Sequence, residues 1–326
     1  MSFPNSLYWL AFLSALLTSL GTLPLWRALA RRGGLVDDPG ARKIHSESIP
    51  LAGGFGVLAA LILPILAGVI ALQLGLIPSN AEAALLYGLS RRAIQLLAIL
   101  VGAFGMVALG VADDLRELGP LPKFVGQVLI AGLVAAAGVR VTLFVEYAWF
   151  SYAITILWIL TITNALNFMD NMNGLAGGVG ALAAAAFALA AASRGQYLVA
   201  LVGFLIAGAL CGFLPYNFPR ASLFLGDSGS HLVGYLLAVL GILPHFYSQT
   251  HPERWAVLSP LFILAVPLLD LVWVVVIRHR AGKPFYVGDT NHFSHRLVRR
   301  GLSRVASVLV LWLLTLISGA LTLWLF

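Results

Sequence analysis

Long apolar runs, separated by short polar segments, restrict the possible folds of this chain more than any other feature. Ten runs are long enough to cross roughly 30 Å of hydrocarbon at about 1.5 Å per helical residue. Their limits are 7–26, 51–75, 93–112, 122–139, 150–167, 174–193, 197–215, 230–247, 255–277 and 303–325. The sequence therefore predicts an all-α, polytopic integral membrane protein with about ten transmembrane helices.

The composition supports this class. The chain has 326 residues, of which 60% are hydrophobic and 10% charged, whereas soluble domains have about a quarter charged residues. The first run lacks a clear small-residue cleavage site, which favours a retained helix over a removed signal peptide. The single cysteine, Cys211, has no disulfide partner. We expect one integral membrane domain, 1–326, without a soluble appendage.

The basic residues predict the orientation. If both termini lie outside, the inner loops contain 15 of the 20 lysines and arginines, which leaves five for the outer side. This distribution follows the positive-inside rule, so the net charge of +7 indicates topology rather than nucleic-acid binding. The expected location is the cell inner (cytoplasmic) membrane. All clusters of polar residues that could carry chemistry then face the cytoplasm.

An acid pair, Asp113 and Asp114, ends the third run. Two acids at a helix C-terminus oppose the helix dipole and repel each other. A solvated helix end or the N-cap of a following turn is the structural alternative. Adjacent carboxylates also suit a divalent metal or a general base near an anionic substrate. Lys123 could hold a phosphate there, or lie at the membrane interface.

Amides are dense at the end of the fifth run. Asn164 and Asn167 are three residues apart and share a helix face, which Asp170 continues if the helix persists. Amides at membrane depth are costly without partners. Hydrogen bonds between helices are one explanation. The series of Asn and Asp residues continues through Asn173 to Gly174, and this density of polar side chains favours a ligand site.

A glycine-rich turn, 226–230, precedes the eighth run. Backbone N–H groups at a helix N-terminus favour phosphate oxygens, and Asp227 can ligate the Mg²⁺ that accompanies such phosphates. A plain N-cap turn is the alternative. Phe224 offers a flat face for a base, or a core aromatic ring.

The loop 278–302 combines histidines and arginines. His292, His295 and Arg296 occur with Asp289 and several other cations. A zinc site is disfavoured because no cysteine is near. Binding of an anionic substrate fits better, with a basic lipid-facing loop as the alternative. Asp270, an acid within the ninth run, is either functional or paired with a cation on a neighbouring helix.

Together these segments resemble the polyprenyl-phosphate N-acetylhexosamine-1-phosphate transferases, also called glycosyltransferase family 4. The resemblance extends over nearly the whole chain. It rests on the order of the segments 38–54, 113–127, 164–174, 226–230 and 270–296. Asn173 replaces the second Asp of the family's Asp-rich motif, and Ser294 stands where many relatives have a histidine.

The resemblance implies ten or eleven helices around a cytoplasmic-face active-site cleft. It implies transfer of a sugar-1-phosphate, expected to be N-acetylglucosamine-1-phosphate, from a UDP-N-acetylhexosamine to undecaprenyl or another polyprenyl phosphate. The products are UMP and a polyprenyl-diphosphate-sugar, in the first membrane step of a cell-envelope glycan pathway. The implied cofactor is Mg²⁺, with Mn²⁺ as an alternative. A homodimer is one oligomeric state left open.

Each site residue has an expected role. The expected catalytic groups are Asp113, Asp114 and Asp170, and the expected metal ligands are Asp227 and Asn167. The residues expected to bind substrates are Lys43, His45, Lys123, Asn164, Asn173, Phe224, Arg278, His292, His295 and Arg296.

Two other functions remain open from the sequence. One is a membrane transporter, although transporters place their sites near the bilayer midplane and often have repeated halves. The other is a non-catalytic relative that binds a nucleotide-sugar, motivated by Asn173 and Ser294.

Overall fold

The computed structural model describes residues 4–39, 47–76, 79–143, 145–246 and 253–325. This part of the chain is mostly α-helical. The helices are α1 (Asn5–Arg32), α2 (Gly53–Gln73), α3 (Ser79–Arg116), α4 (Pro120–Ala136), α5 (Ala148–Met169), α6 (Leu175–Ser193), α7 (Tyr197–Asn217), α8 (Gly226–Ile242), α9 (Ser259–Ile263), α10 (Ala265–Arg280), α11 (Phe293–Arg299) and α12 (Arg304–Leu325). The strands are β1 (Val36–Asp37) and β2 (Ile49–Pro50), and a 3₁₀ helix covers Arg254–Leu258.

Each of the ten predicted runs coincides with a helix or a helix pair. Seven helices are long and apolar enough to cross a membrane: α1, α2, α3, α5, α6, α7 and α12. The 3₁₀ helix with α9 forms one arm of an apolar pair, and α10, bent from it by 71°, forms the other. Helices α4 and α8 have 17 residues each, which is about 26 Å. The described residues therefore confirm a polytopic helical membrane protein with seven candidate spans, or eight with the bent pair.

Helix α8 packs against α2, α3, α5 and α6, and it is buried from Ser228 to Leu240. Glycines allow this close packing. An ideal Cβ on Gly110 in α3 would lie 2.3 Å from the backbone nitrogen of Ser228. One on Gly234 would lie 2.6 Å from the Cα atom of Thr163 in α5. The N-terminus of α8 is thereby held beside the C-terminal end of α3.

A small hairpin, which the sequence did not predict, joins the segments before α2 and α8. Strands β1 and β2 are antiparallel, with Val36 opposite Pro50. The backbone N–H of Phe224 donates to the carbonyl of Pro50 at 2.9 Å, and that of Gly53 donates to the carbonyl of Phe224 at 3.0 Å. Lys43 and His45, two expected substrate residues, belong to the segment 40–46, which lies outside the described residues.

The Ala-rich helix α6 packs against α7 and α12. An ideal Cβ on Gly203 of α7 would lie 2.8 Å from the Cβ atom of Ala188, and one on Gly178 would lie 2.0 Å from the Trp312 ring. The small residues of α6 thus allow close helix packing.

Candidate functional site

Four helices bring four polar side chains together at one end of the bundle. They are Asp113 of α3, Lys123 of α4, Asn167 of α5 and Asp227 of α8, and we call them the lysine–carboxylate cluster. The Nζ atom of Lys123 lies 2.6 Å from Oδ2 of Asp113 and 3.9 Å from Oδ2 of Asp227. It also donates to Oδ1 of Asn167 at 3.4 Å. One ammonium therefore faces two carboxylates that would otherwise repel each other.

Asn167 joins α5 to the first turn of α8. Its Nδ2 atom donates to Oδ1 of Asp227 and, at 2.9 Å, to Oγ of Ser230. The two expected metal ligands, Asp227 and Asn167, are thus in direct contact. The amide nitrogen of Asn167 thus faces Asp227, and its amide oxygen faces Lys123.

Asp114 caps α8 from another helix. Its Oδ1 accepts a hydrogen bond from the backbone N–H of Asp227 at 2.9 Å, and its Oδ2 accepts one from Ser228 at 3.1 Å. A carboxylate at a helix N-terminus is favourable, which explains an acid pair at the end of α3. The expectation that the turn's N–H groups bind phosphate is wrong for these two groups, because Asp114 already occupies them.

Gly226 begins α8 with a left-handed backbone, φ +74°. An ideal Cβ there would lie 3.0 Å from Oδ2 of Asp114. A side chain at this position would therefore strain the backbone and crowd the cap.

Asp113, the other member of the pair, is buried, with 7% of its surface exposed. Its Oδ1 accepts a hydrogen bond from the backbone N–H of Leu118 at 2.9 Å. This bond ties the turn between α3 and α4 and leaves Oδ2 directed at Lys123. The two neighbouring acids thus have separate partners.

Asp170 lies just beyond α5, since the helix ends at Met169. Because the helix does not persist to Asp170, the condition under which this residue would continue the face of Asn164 and Asn167 is not met. Burial, with the nearby charges of Asp227 and Asp114, raises the pKa of Asp170 to about 7. This carboxyl can exchange a proton near neutral pH.

Three expected substrate residues make contacts within the protein. Nδ2 of Asn164 donates to Oε1 of Gln127 in α4 at 2.7 Å. This bond corresponds to the alternative explanation of the amides, hydrogen bonding between helices. Nδ2 of Asn173 donates to the carbonyl of Pro219 at 3.2 Å. The backbone of Phe224 pairs with Pro50 and Gly53. The hydrogen bonds that the structure gives Asn164 and Asn173 do not reach the lysine–carboxylate cluster.

The C-terminal loop is held by an acid and a histidine. Oδ2 of Asp270 lies 2.6 Å from Nδ1 of His292, and its Oδ1 accepts the backbone N–H of Phe293 at 2.7 Å. Oγ of Ser294 donates to Oδ1 of Asn171 at 2.6 Å, which attaches the loop to the segment after α5. Ser294 thus has a hydrogen-bond partner of its own within the protein.

Arg278 anchors the same loop. Only 2% of it is exposed; its Nε donates to Oδ2 of Asp289 at 3.0 Å, and its Nη1 donates to the carbonyl of Phe285. Burial alone would raise the pKa of Asp289, but the hydrogen bonds from Arg278 and Asn291 outweigh it and lower that pKa. The guanidinium lies 5.1 Å from the Phe168 ring, beside Asn167. Arg278 therefore orders the loop and contacts α5 through Phe168.

Arg296 lies at a groove between α10, α11 and α12. Its guanidinium is 4.3 Å from the centre of the Trp273 ring. The groove has a volume of about 260 Å³ and is lined by Trp273, Phe293, Arg296, Leu297, Arg300, Val310, Leu311 and Leu314. It combines an apolar wall with two cations.

His295 lies in α11, and the centre of its ring is 6.4 Å from that of the His292 ring. Burial, followed by the charges of His292, Arg299 and Arg304, lowers the pKa of His295. Burial and these cations therefore disfavour the protonated imidazole.

His231 was missed from the sequence. It lies four residues after Asp227 in α8, is fully buried, and has no hydrogen-bond partner for either ring nitrogen among the described residues. Donor atoms of His231, Asp113 and Asp227 lie within 4.8 Å of one another. The spacing from Asp227 was a usable signal, because residues four apart share a helix face.

Fold and site together define a polytopic membrane protein with a charged cluster at one end of its helices. The family model "Glycosyl transferase family 4" matches residues 96–245. A probable undecaprenyl-phosphate N-acetylglucosaminyl 1-phosphate transferase of Bacillus subtilis is 32% identical over 93% of this chain and 81% of its own length. The chain belongs to glycosyltransferase family 4.

Two further relatives are similar over most of their length. Decaprenyl-phosphate N-acetylglucosaminephosphotransferase of Mycobacterium tuberculosis is 31% identical over 94% of this chain and 80% of its own length. Undecaprenyl-phosphate alpha-N-acetylglucosaminyl 1-phosphate transferase of Salmonella typhi is 28% identical over 90% and 78%. The similarity thus extends well beyond the segment matched by the family model.

Proposed function

We propose that the protein transfers N-acetylglucosamine-1-phosphate from a UDP-sugar to a polyprenyl phosphate, giving UMP and polyprenyl-diphosphate-N-acetylglucosamine. The observation that carries the proposal is the convergence of Asp113, Lys123, Asn167 and Asp227 from four helices. The activities for which three relatives from different bacteria are named support it. Undecaprenyl phosphate is the acceptor in two of these names and decaprenyl phosphate in the third.

The main electrostatic demand of this reaction is that two anions must meet. An oxygen of the acceptor phosphate attacks the phosphorus that carries the sugar, and the bond from this phosphorus to the UMP oxygen breaks. Positive charge at the reacting phosphate lowers this barrier. Lys123 supplies such a charge, and its flexible side chain can turn from the carboxylates to a phosphate.

The acids have different roles in this account. Asp114 is a positioning residue, because both its oxygens hold the N-terminus of α8. Asp113 points its Oδ2 into the cluster, so we assign it to positioning Lys123 and to holding a cation there. Asp170, with its pKa near 7, can take the remaining proton of the acceptor, since a phosphate monoester is already largely ionised at neutral pH.

The family resemblance implies Mg²⁺, and the residues present fit a divalent cation. Two carboxylates converge within 4.8 Å with an imidazole that has no hydrogen-bond partner in the described part of the chain. Carboxylate oxygens are ligands that Mg²⁺ takes. Asp113 and Asp227 would hold the ion, with the amide oxygen of Asn167 nearby. When bound, the ion would neutralise diphosphate charge.

We assign the acceptor lipid to the groove beside Arg296. Its apolar wall fits a polyprenyl chain, and Arg296 and Arg300 fit an anionic headgroup. Arg296 is held against Trp273, which fixes the direction of the guanidinium. His292, held by Asp270, lies on the same loop.

We propose ten spans around a cytoplasmic cleft in the inner membrane, with both termini outside. The contacts of His245, beyond the end of α8, agree with this topology. Arg92 Nη2 lies 3.2 Å from His245 Nε2, and Gln196 donates to the His245 carbonyl at 3.0 Å. These contacts lie at the end of α8 opposite Asp227, which supports placing Arg92 and Gln196 at one membrane face and the cluster at the other. We assign the face of the cluster to the cytoplasm, where UDP-sugars occur.

The test is an assay of purified protein with Mg²⁺, undecaprenyl phosphate and a panel of UDP-sugars. We expect UMP release that requires the lipid phosphate and is fastest with UDP-N-acetylglucosamine. Asp227→Asn should abolish release while the protein still folds, whereas Glu117→Gln, an exposed acid near the same helix end, should not change it. Absence of UMP with every donor would contradict the proposal.

A further inference from the structure

His231 is a buried polar side chain that the structure leaves without partners. Its exposed fraction is 0% and neither ring nitrogen has a hydrogen-bond partner among the described residues. Buried polar groups in proteins are nearly always hydrogen-bonded, and leaving one unpaired costs about 1–3 kcal/mol. An apolar residue of similar size would avoid this cost. A ligand bound to the imidazole would remove this cost.

The neighbours of His231 show what kind of ligand fits. Asp227 is one helical turn before it on α8, so the two side chains share a face. Asp113 of α3 lies opposite, and the donor atoms of all three are within 4.8 Å of one another. Two donors at about 2.1 Å from one ion are at most about 4.2 Å apart. Side-chain shifts of under about 1 Å would therefore allow all three side chains to bind the same ion.

Lys123 supports this assignment. Its ammonium lies 2.6 Å from Asp113 and 3.9 Å from Asp227, which shows that the space between these carboxylates attracts a cation. A dication held by both acids would replace this contact. The lysine side chain is flexible enough to turn away and meet an anion instead.

We propose that Asp113, Asp227 and His231 form a divalent-cation site with one nitrogen ligand, which binds a transition-metal dication such as Mn²⁺ in preference to Mg²⁺. Mg²⁺ takes oxygen ligands in an octahedral arrangement, whereas imidazole is a ligand of transition metals. The inference rests on the proposed function for the purpose of the ion. Binding of the ion can nevertheless be measured without turnover.

The experiment uses the full chain, purified in nanodiscs, stripped with a chelator and titrated with Mn²⁺ in the absence of substrates. Pulsed electron paramagnetic resonance of the bound Mn²⁺ should show coupling to one ¹⁴N nucleus. Labelling of histidine with ¹⁵N should convert this coupling to that of ¹⁵N, which tests the proposal without any substitution.

Variants then identify the histidine. His231→Leu should remove the nitrogen coupling and weaken Mn²⁺ binding by about tenfold or more, with little change in Mg²⁺ binding. His279→Asn, an exposed histidine, should behave like the unchanged protein. Asp227→Asn should also weaken Mn²⁺ binding. Coupling that persists in His231→Leu, or bound Mn²⁺ without nitrogen coupling in the unchanged protein, would overturn the proposal.

The outcomes separate this inference from the proposed function. If the bound ion shows nitrogen coupling but the protein releases no UMP, the cation site is supported and the proposed transferase function is contradicted. If the protein releases UMP but its ion is bound only by oxygen atoms, the transferase function is supported and the nitrogen ligand is contradicted.

Discussion

The carboxylate of Asp114, at the end of α3, accepts a hydrogen bond from the backbone N–H of Asp227, at the start of α8, at a distance of 2.9 Å. One acid thus positions the helix that carries another. The bond joins residues more than a hundred positions apart and places Asp227 opposite Asp113 and Lys123. The site therefore depends on how α3 meets α8 as much as on the acids themselves.

Asp114→Asn tests this capping role. The substitution keeps the shape but removes the charge at the N-terminus of α8, so we expect a loss of roughly 1 kcal/mol in stability. The check is thermal unfolding in detergent, with Glu117→Gln as the matched control. An unchanged melting temperature together with complete loss of activity would show that Asp114 acts in the chemistry instead.

Lys123→Met tests the charge between the two carboxylates. Loss of the ammonium removes the Lys123 contact from Asp113 and Asp227 and one positive group from the reacting phosphate. We expect kcat to fall about 100-fold or more. Lys123→Arg, which keeps the charge, should retain more activity than Lys123→Met. Equal rates for both variants would contradict an electrostatic role.

Gly110→Ala tests the close contact of α3 with α8. The new Cβ would lie 2.3 Å from the backbone of Ser228, so we expect overpacking to cost about 1–3 kcal/mol and activity to fall as the two acids move apart. Gly132→Ala in α4 is the control, because its Cβ meets nothing within 4 Å. That change should stabilise slightly, since alanine is the better helix former. The pair is compared by thermal unfolding and UMP release.

The sequence predicted the helical segments well because the apolar runs are long. It did not predict that α9 and α10 bend by 71°, since the apolar run is continuous there. The two-residue strands of the hairpin were also missed, because pairs so short have no pattern.

Within the site, sequence and structure agree unevenly. The position of Asp113–Asp114 marked the site, but only the fold shows that Asp113 faces Lys123 while Asp114 caps α8. Asn164 suited a ligand equally well on its sequence, yet its hydrogen bond goes to Gln127. His231 lies in an apolar helix, and only the fold shows that Asp113 of another helix lies beside it. Roles that depend on contacts between distant helices could not be predicted from local patterns.

Asp289→Asn tests the anchor of the C-terminal loop by its pH dependence. The pKa of Asp289 is lowered in the folded protein, so its contribution to stability is present above the unfolded pKa of about 3.9 and is lost as the pH falls through the lower, folded value. Near pH 7 the variant should lose about 3 kcal/mol, because Arg278 is left buried without its partner. Melting temperatures of the two proteins should converge in acid. A difference independent of pH would contradict the ion pair.

The most direct test of the central claim is the fate of the β-phosphate of the donor. UDP-N-acetylglucosamine labelled with ³²P at the β position is incubated with the purified protein, polyprenyl phosphate and a divalent cation, and the lipid and nucleotide are then separated. Transfer of sugar-1-phosphate predicts that the label enters the lipid, that unlabelled UMP is released in equal amount, and that Asp227→Asn does neither. Label that stays in a released UDP, or that never leaves the donor, would contradict the account.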